Sequence, residues 1–391
     1  MAKKSKSSGT KRAATIAAGD ATPPALAIPE PRPFGRILGQ SRALEALASA
    51  VRSGRVHHAW IFHGPEGVGK FTTALAWAAL LLDPETTTDL EGNPAADPGT
   101  ETQKLIRSGT HPDLFVIRKE LARYEDDKRV RDAKLATIPL GVVTRHLIEP
   151  AQRAPARTTG SVASRVFIVD EAELLDRSPT NAPVQNAILK TLEEPAPGTV
   201  IILVTSSEDR LLPTIRSRCQ RVGFAPLGDD AMRAWAEDAG AAADPEEHEW
   251  LITHALGAPG RYAWALENGM HAWAREVLPE LDRAMRGEHP IGLGTRMTEL
   301  VDAWAKDWVQ RGEKMGEHRS KEAANKLGAT RMLAMVAQRA RDDLADRERA
   351  EGAAHAIELV ERARGELDAN VQMRFVMDHL IAGISGPAPV C

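Results

Sequence analysis

The sequence predicts an α/β protein in two parts: a mostly parallel β-sheet flanked by helices, then an all-helical half. Three observations carry that expectation. Between Phe34 and Phe224, short apolar runs of strand length alternate with Ala- and Leu-rich helical segments, the order that builds a parallel sheet covered by helices. A glycine-rich loop ending in lysine lies between the first run and the helix after it. Beyond Phe224 the strand-like runs cease.

The elements can be justified in chain order. Residues 1–33 hold Lys3, Lys4, Lys6, Lys11 and Arg12, then five prolines (Pro23, Pro24, Pro29, Pro31 and Pro33). No continuous apolar stretch follows the basic start, so the segment is expected to be a disordered tail and not a signal peptide. Globular patterning begins at Phe34. The strand-like runs are Ala59–His63, Asp113–Ile117, Arg165–Val169 and Thr199–Thr205. None alternates cleanly with polar residues, which is the pattern of strands covered on both faces. A fifth run, Arg221–Phe224, could close the sheet. Helical segments are expected at Arg42–Arg52, Thr72–Leu82 and Val184–Leu192. Asp83–Thr102 is acidic and turn-rich, and Lys119–Lys134 is dense in both charge signs; both are expected to be surface insertions.

In the second half, helices are expected at Asp229–Ala239, Glu246–Leu256, Gly260–Glu267, His271–Arg286, Arg296–Arg311, Thr330–Arg347 and Gly352–Leu367. The spacing of Val371, Phe375, Val376 and Leu380 adds a last helical stretch. Pro259, Pro279 and Pro290 mark starts or breaks. The helical half divides near Gly269, giving expected units of 34–224, 225–270 and 271–391.

Composition excludes several classes of function. Lys plus Arg number 50 against 54 Asp plus Glu, a net charge of −4, so no global positive field draws the chain to nucleic acid or anionic lipid. Any DNA contact must be local; Arg145, Arg153 and Arg157 are candidates, and a solvated basic face explains them as well. Two cysteines, Cys219 and Cys391, supply neither a disulfide framework nor a four-cysteine zinc site and suit a reducing, cytoplasmic setting. No apolar run approaches the roughly 20 residues of a membrane span. The tryptophans, among them Trp264, Trp273, Trp304 and Trp308, are expected in cores or domain contacts, not as base-stacking platforms. His57 and His58 are expected to pack or cap.

The chemistry concentrates in three places. Gly64-Pro-Glu-Gly67-Val-Gly69-Lys70 follows a strand and precedes a helix, the setting in which backbone N–H groups, a helix dipole and a lysine ammonium cradle phosphates. The next position calls for a hydroxyl that ligates Mg²⁺, and here it is Phe71. Thr72 is turned about 100° around the helix and substitutes poorly. Nucleotide binding through Gly64, Gly67, Gly69 and Lys70 is therefore expected to be weak, and hydrolysis of ATP by this chain slow or absent. Asp170-Glu171 end the strand Val166–Val169, where Asp170 could orient metal-bound water and Glu171 could polarise an attacking water. Taken alone, the pair is also an ordinary strand exit. Thr205 at the end of a third strand could sense a γ-phosphate or merely cap a turn. Arg218, in Ser217-Arg218-Cys219, could stabilise a transferring phosphoryl group or form a surface ion pair.

In succession, Gly39-Gln40, HHAWIFHGPEGVGK (57–70), HPDLFVI (111–117), VFIVDEAELL (166–175), NAILKTLEEP (186–195) and LLPTIRSRCQR (211–221) resemble the bacterial clamp-loader AAA+ family, and within it the delta-prime subunits of DNA polymerase III. The likeness covers Ile37–Phe224 and continues weakly through Gly257–Leu266 and Leu367–Leu380. It implies an AAA+ P-loop domain, a helical lid (225–270) and an all-α collar (271–391). It further implies that Arg218 acts as an arginine finger in trans, Thr205 as a first sensor and Arg261 as a second. The implied partners are the gamma/tau and delta subunits, a sliding clamp and primed DNA held through its phosphates. Many relatives carry a four-cysteine zinc module, but residues 83–110 contain no cysteine, so no zinc is expected. The alternative within the family is a gamma/tau-like subunit that hydrolyses ATP itself. A P-loop module unrelated to replication is the remaining possibility.

Overall fold

The computed structural model describes residues 28–386 except 90–91, 132–135, 158–159, 177, 179, 242–243 and 315–318; most of the expected tail, and Cys391, lie outside them. The first half runs α1 (Ser41–Ser53), β1 (Ala59–His63), α2 (Lys70–Leu82), a small antiparallel pair β2 (Thr87–Thr88) and β3 (Pro94–Ala95), α3 (Glu101–Arg107) and β4 (Leu114–Ile117). It continues through α4 (Lys128–Arg131), α5 (Leu140–Val143), a π-type turn (Thr144–Ile148), α6 (Glu149–Gln152), β5 (Arg165–Val169), α7 (Pro183–Glu193), β6 (Thr199–Thr205), α8 (Pro213–Arg216) and β7 (Gln220–Gly223).

Five strands form one parallel sheet in the order β4-β5-β6-β1-β7. The run near Arg221 does close it, as an edge strand beside β1. Every residue of β5 and β6 is buried, because helices cover both faces and neither face can afford a polar stripe. Alternate residues serve opposite cores. Trp60, Phe62, Val166, Ile168 and Ile202 join α1 and α2 on one face. Ile61, Phe167, Val169, Ile201 and Leu203 join α7 and the 138–151 segment on the other. Helix α2 is buried along nearly its whole length, and its Trp77 indole N–H donates to the Leu47 carbonyl at 3.2 Å, so the ring is enclosed without an unmet donor.

A buried ion pair fastens the sheet at its lower corner. Asp113 accepts from Arg165 Nη2 (3.1 Å) and from the backbone N–H groups of Ala156 and Arg157 (3.0 Å each). Arg165 also donates to the carbonyls of Pro150, Arg153 and Ala154. One carboxylate and one guanidinium thereby fix the loop after α6 to the starts of β4 and β5.

The two expected insertions are tied down more firmly than their composition suggests. Buried Asp83 accepts from Thr100 Oγ1 (2.7 Å) and Gln103 Nε2 (2.9 Å), closing the base of the 83–102 segment. Lys119–Tyr124 forms a short 3₁₀ helix with Ala122 in the core.

The second half is α9 (Asp229–Asp238), α10 (Pro245–Ala255), α11 (Pro259–Glu267), α12 (Met270–Met285), α13 (Leu293–Lys314), α14 (Lys321–Asp342), α15 (Ala350–Asp368) and α16 (Met373–Ile384). Two expectations need correction. Pro279 neither starts nor breaks a helix but lies inside α12. It occupies an exposed position of the helix, while Trp273, Val277, Leu281 and Ala284 before and after it are buried in the core. Helix α14 begins nine residues before Thr330, capped by the Ser320 side chain. Within α14, a Cβ added at Gly328 would come within 2.9 Å of Val301, so this is where α14 and α13 approach. One apolar core runs from Leu227 to Ile384 and includes Trp273 and Trp304, with Trp264 and Trp308 packed against it. None of the helices in the described residues is long and apolar enough to cross a membrane.

Candidate functional site

Helix α2 starts at Lys70, directly after a loop whose Gly64, Gly67 and Gly69 all take positive φ (141°, 80° and 97°). Gly64 has no room for a side chain: a Cβ there would stand 2.2 Å from the Phe224 carbonyl oxygen. Gly67 is constrained from the other side, since its carbonyl accepts from the Gly260 N–H of α11 at 2.9 Å. The loop is thus clamped between β7 and the helical half. Glu66, also in the loop, pairs with Arg331 of α14 at 3.0 Å.

These elements surround a cavity of about 460 Å³, within the roughly 300–1,000 Å³ usual for small-molecule sites. The loop and Lys70 form its floor, and Asp170, Glu171, Glu173, Thr205 and Ser206 line one wall. Ile37, Leu38, Leu227 and Trp235 give it an apolar end, with Arg32 and Arg36 beside them. Lys70 is folded back so that Nζ donates to the carbonyls of Gly64 and Pro65 at 2.6 Å each. Burial lowers its pKa, against the pull of Glu173, Asp170 and Glu66.

The acidic wall is already engaged. Because β4 and β5 pair in parallel with Ile117 opposite Val169, the residues leaving the two strands emerge side by side. Arg118 Nε lies 3.6 Å from Asp170 Oδ2, and Lys119 Nζ lies 2.6 Å from Glu171 Oε2. Burial pushes the Asp170 carboxyl up to about 6, with the Arg118 charge opposing. Burial also works against the Lys119 ammonium, but Glu171 more than offsets it and the Lys119 pKa is raised. The Arg118 guanidinium stacks 4.3 Å from the centroid of the Phe71 ring. Glu173 accepts from both the hydroxyl and the backbone N–H of Ser206. Thr205 is buried and its Oγ1 accepts from the Ser207 N–H at 3.0 Å, so its hydroxyl caps a turn while the residue lines the cavity.

Ser206 adjoins Thr205 in the sequence motif, whereas the sequence does not single out Glu173, Arg36, Arg118 or Lys119. Glu173 is two residues beyond Asp170-Glu171 in the same motif, which is the signal that could have found it. The cations after β4 look like the start of a charged surface run and become visible only through strand pairing. Arg261 does not line the cavity; its backbone adjoins Gly67, and burial and Arg331 lower its pKa. Arg218 is also outside the cavity, half-exposed, paired with Glu193 at 2.7 Å and donating to the Thr214 carbonyl at 2.9 Å. The three arginines considered for DNA are each paired: Arg145 with Asp126, Arg153 with Glu149 and Arg157 with Glu101. His58 donates to the Leu192 carbonyl at 2.9 Å and stacks on His57, which agrees with a packing role.

The cavity suits a nucleotide, with phosphate donors at one end and an apolar slot at the other. It does not suit a coordinated Mg²⁺, which needs hard oxygen ligands in octahedral array. Phe71 offers no hydroxyl, and Asp170 and Glu171 are held by cations. Among the described residues no cluster of three or more His, Cys, Asp or Glu side chains is placed to hold a metal.

Comparison with known proteins finds the following similarities. Residues 39–228 match the family described as "DNA polymerase III, delta subunit". The chain is 32% identical to DNA polymerase III subunit delta' of Pseudomonas aeruginosa over 218 residues, covering 55% of this chain and 58% of that one. It is 30% identical to the Bacillus subtilis delta' subunit over 193 residues, 49% and 50% of the two chains. With Escherichia coli subunit tau it shares 31% identity over 274 residues, 70% of this chain and 36% of tau. The chain spans little more than half the length of the delta' relatives it matches. Among solved structures, a gamma subunit-related protein of Thermotoga maritima superposes with a TM-score of 0.44 at 13% identity, covering 87% of this chain and 98% of that one. The similarity to bacterial DNA polymerase III delta' subunits thus centres on the first half of the chain, where the P-loop and the parallel sheet lie.

Proposed function

We propose that the chain works as a delta-prime-type subunit of a bacterial DNA polymerase III clamp loader in the cytoplasm. In this reading it assembles with gamma/tau and delta subunits and supports ATP-dependent placement of a sliding clamp on primed DNA. Arg218 is its finger, directed at a triphosphate bound to the neighbouring subunit. The observation that carries the reading is the separation of parts: Arg218 stands at the surface outside the chain's own cavity, where its partners among the described residues are Glu193 and the Thr214 carbonyl. A guanidinium so placed cannot serve its own site but is free to serve another's.

The chain's own cavity takes nucleotide in a supporting role. Loop amides and Lys70 receive the phosphates, the apolar end by Trp235 and Leu227 receives the base, and Arg261 approaches from α11. Residues 225–270 act as a lid and 271–391 as the oligomerising collar. The longer alignment with tau favours a second reading, a subunit that hydrolyses ATP. Phe71 and the paired Asp170 and Glu171 weigh against it.

Reconstitution with gamma/tau and delta subunits tests the proposal. Arg218→Ala is expected to leave assembly intact and to lower the ATPase of the complex by about 10³-fold or more at the site it serves. Unchanged activity would refute the finger role. Rapid Mg²⁺-dependent turnover by the purified chain, abolished by Lys70→Ala, would favour the tau-like reading instead.

A further inference from the structure

Resting on the reading that the cavity takes a nucleotide, we propose that this chain binds the triphosphate without a divalent cation, the internal cations Arg118 and Lys119 standing where a metal would otherwise balance the acidic wall. Three features converge on it. The hydroxyl position of the P-loop holds Phe71, whose ring is covered by the Arg118 guanidinium at 4.3 Å. The same guanidinium faces Asp170, and its Nε has no hydrogen-bond partner among the described residues. Lys119 holds Glu171 at 2.6 Å.

The strand register makes this arrangement a property of the fold. Asp170 donates its backbone N–H to the Ile117 carbonyl at 3.0 Å, so the pairs 118–119 and 170–171 leave adjacent strands together and cannot avoid one another. In a metal-dependent site, unpaired carboxylates repel free triphosphate and admit it only with Mg²⁺. Here each carboxylate carries its own counter-charge, so that repulsion is largely cancelled, and of the metal's two protein-side anchors the hydroxyl is replaced by Phe71 and Asp170 faces Arg118. Arg118 and Lys119 act on the ligand through Asp170 and Glu171; they are positioning residues, not ligands.

The full-length chain can be titrated with adenylyl imidodiphosphate by calorimetry, in Mg²⁺ and in EDTA. The dissociation constants are expected to agree within about twofold. A tightening of about tenfold or more in Mg²⁺ would overturn the proposal while leaving the nucleotide reading intact. Binding in neither buffer would sink the nucleotide reading and this inference with it. The variant Phe71→Thr/Arg118→Gln restores the hydroxyl and frees Asp170, and is expected to acquire a Mg²⁺ preference of about tenfold. If the folded variant binds nucleotide with no such preference, Phe71 and Arg118 are not what excludes the metal and the assignment fails. Should the variant not fold, the ratio measured on the natural chain still decides.

Discussion

Acid should weaken this protein through one residue in particular. His254 of α10 is 4% exposed, stacks on Trp250 at 4.5 Å, and has the charges of Arg261 and Arg331 near it. Burial first, then those two arginines, push its pKa down from 6.5 to about 3. A depressed folded-state pKa means that the unfolded chain takes up the proton first as pH falls. The stability this residue provides is complete above about pH 6.5 and is lost progressively down to about pH 3. At about 1.4 kcal/mol per pH unit, the fall from roughly pH 7.5 to pH 5 removes about 2 kcal/mol. The variant His254→Phe keeps an aromatic ring against Trp250 and cannot titrate. Urea unfolding followed by tryptophan fluorescence at the two pH values should show the natural protein losing about 2 kcal/mol more than the variant. His58, His111 and His146, whose pKa values burial also lowers, titrate in both proteins and cancel. Equal losses in the two proteins would refute the reasoning.

Three further outcomes are expected. Asp113→Ala strands the buried Arg165 guanidinium and should cost about 3–5 kcal/mol in urea unfolding, with a smaller effect arguing that the 150–157 loop relaxes to hydrate it. Gly64→Ala places a Cβ against the Phe224 carbonyl and should cost at least about 1–3 kcal/mol together with nucleotide binding, measured by unfolding and calorimetry. Pro279→Ala restores a hydrogen bond inside α12 and should raise stability by about 2 kcal/mol, the helix gain exceeding the lost restriction of the unfolded chain; a drop in stability would show that the proline is not an interruption.

The sheet and loop were readable because their causes are local. A run such as RVFIV at 165–169 is apolar throughout since both its faces are covered, and the glycines at 64, 67 and 69 are required by the backbone they form. What escaped the sequence is pairing across distance. Asp113 and Arg165 are 52 residues apart, and nothing in either segment announces the other. Lys119 reads as the start of the charged 119–134 segment and Arg118 as the residue before it, and only the neighbouring exit of β5 gives them their role. The basic residues Arg145, Arg153 and Arg157 likewise count as free charges until Asp126, Glu149 and Glu101 are brought to them. Helix punctuation failed where packing outweighed propensity, at Pro279.

The most direct measurement is a structure of the chain assembled with its proposed neighbours and an ATP analogue. The account expects Arg218 to have left Glu193 and to reach the γ-phosphate in the adjacent subunit at about 3 Å. An Arg218 still paired with Glu193, facing solvent in every assembled copy, would contradict it.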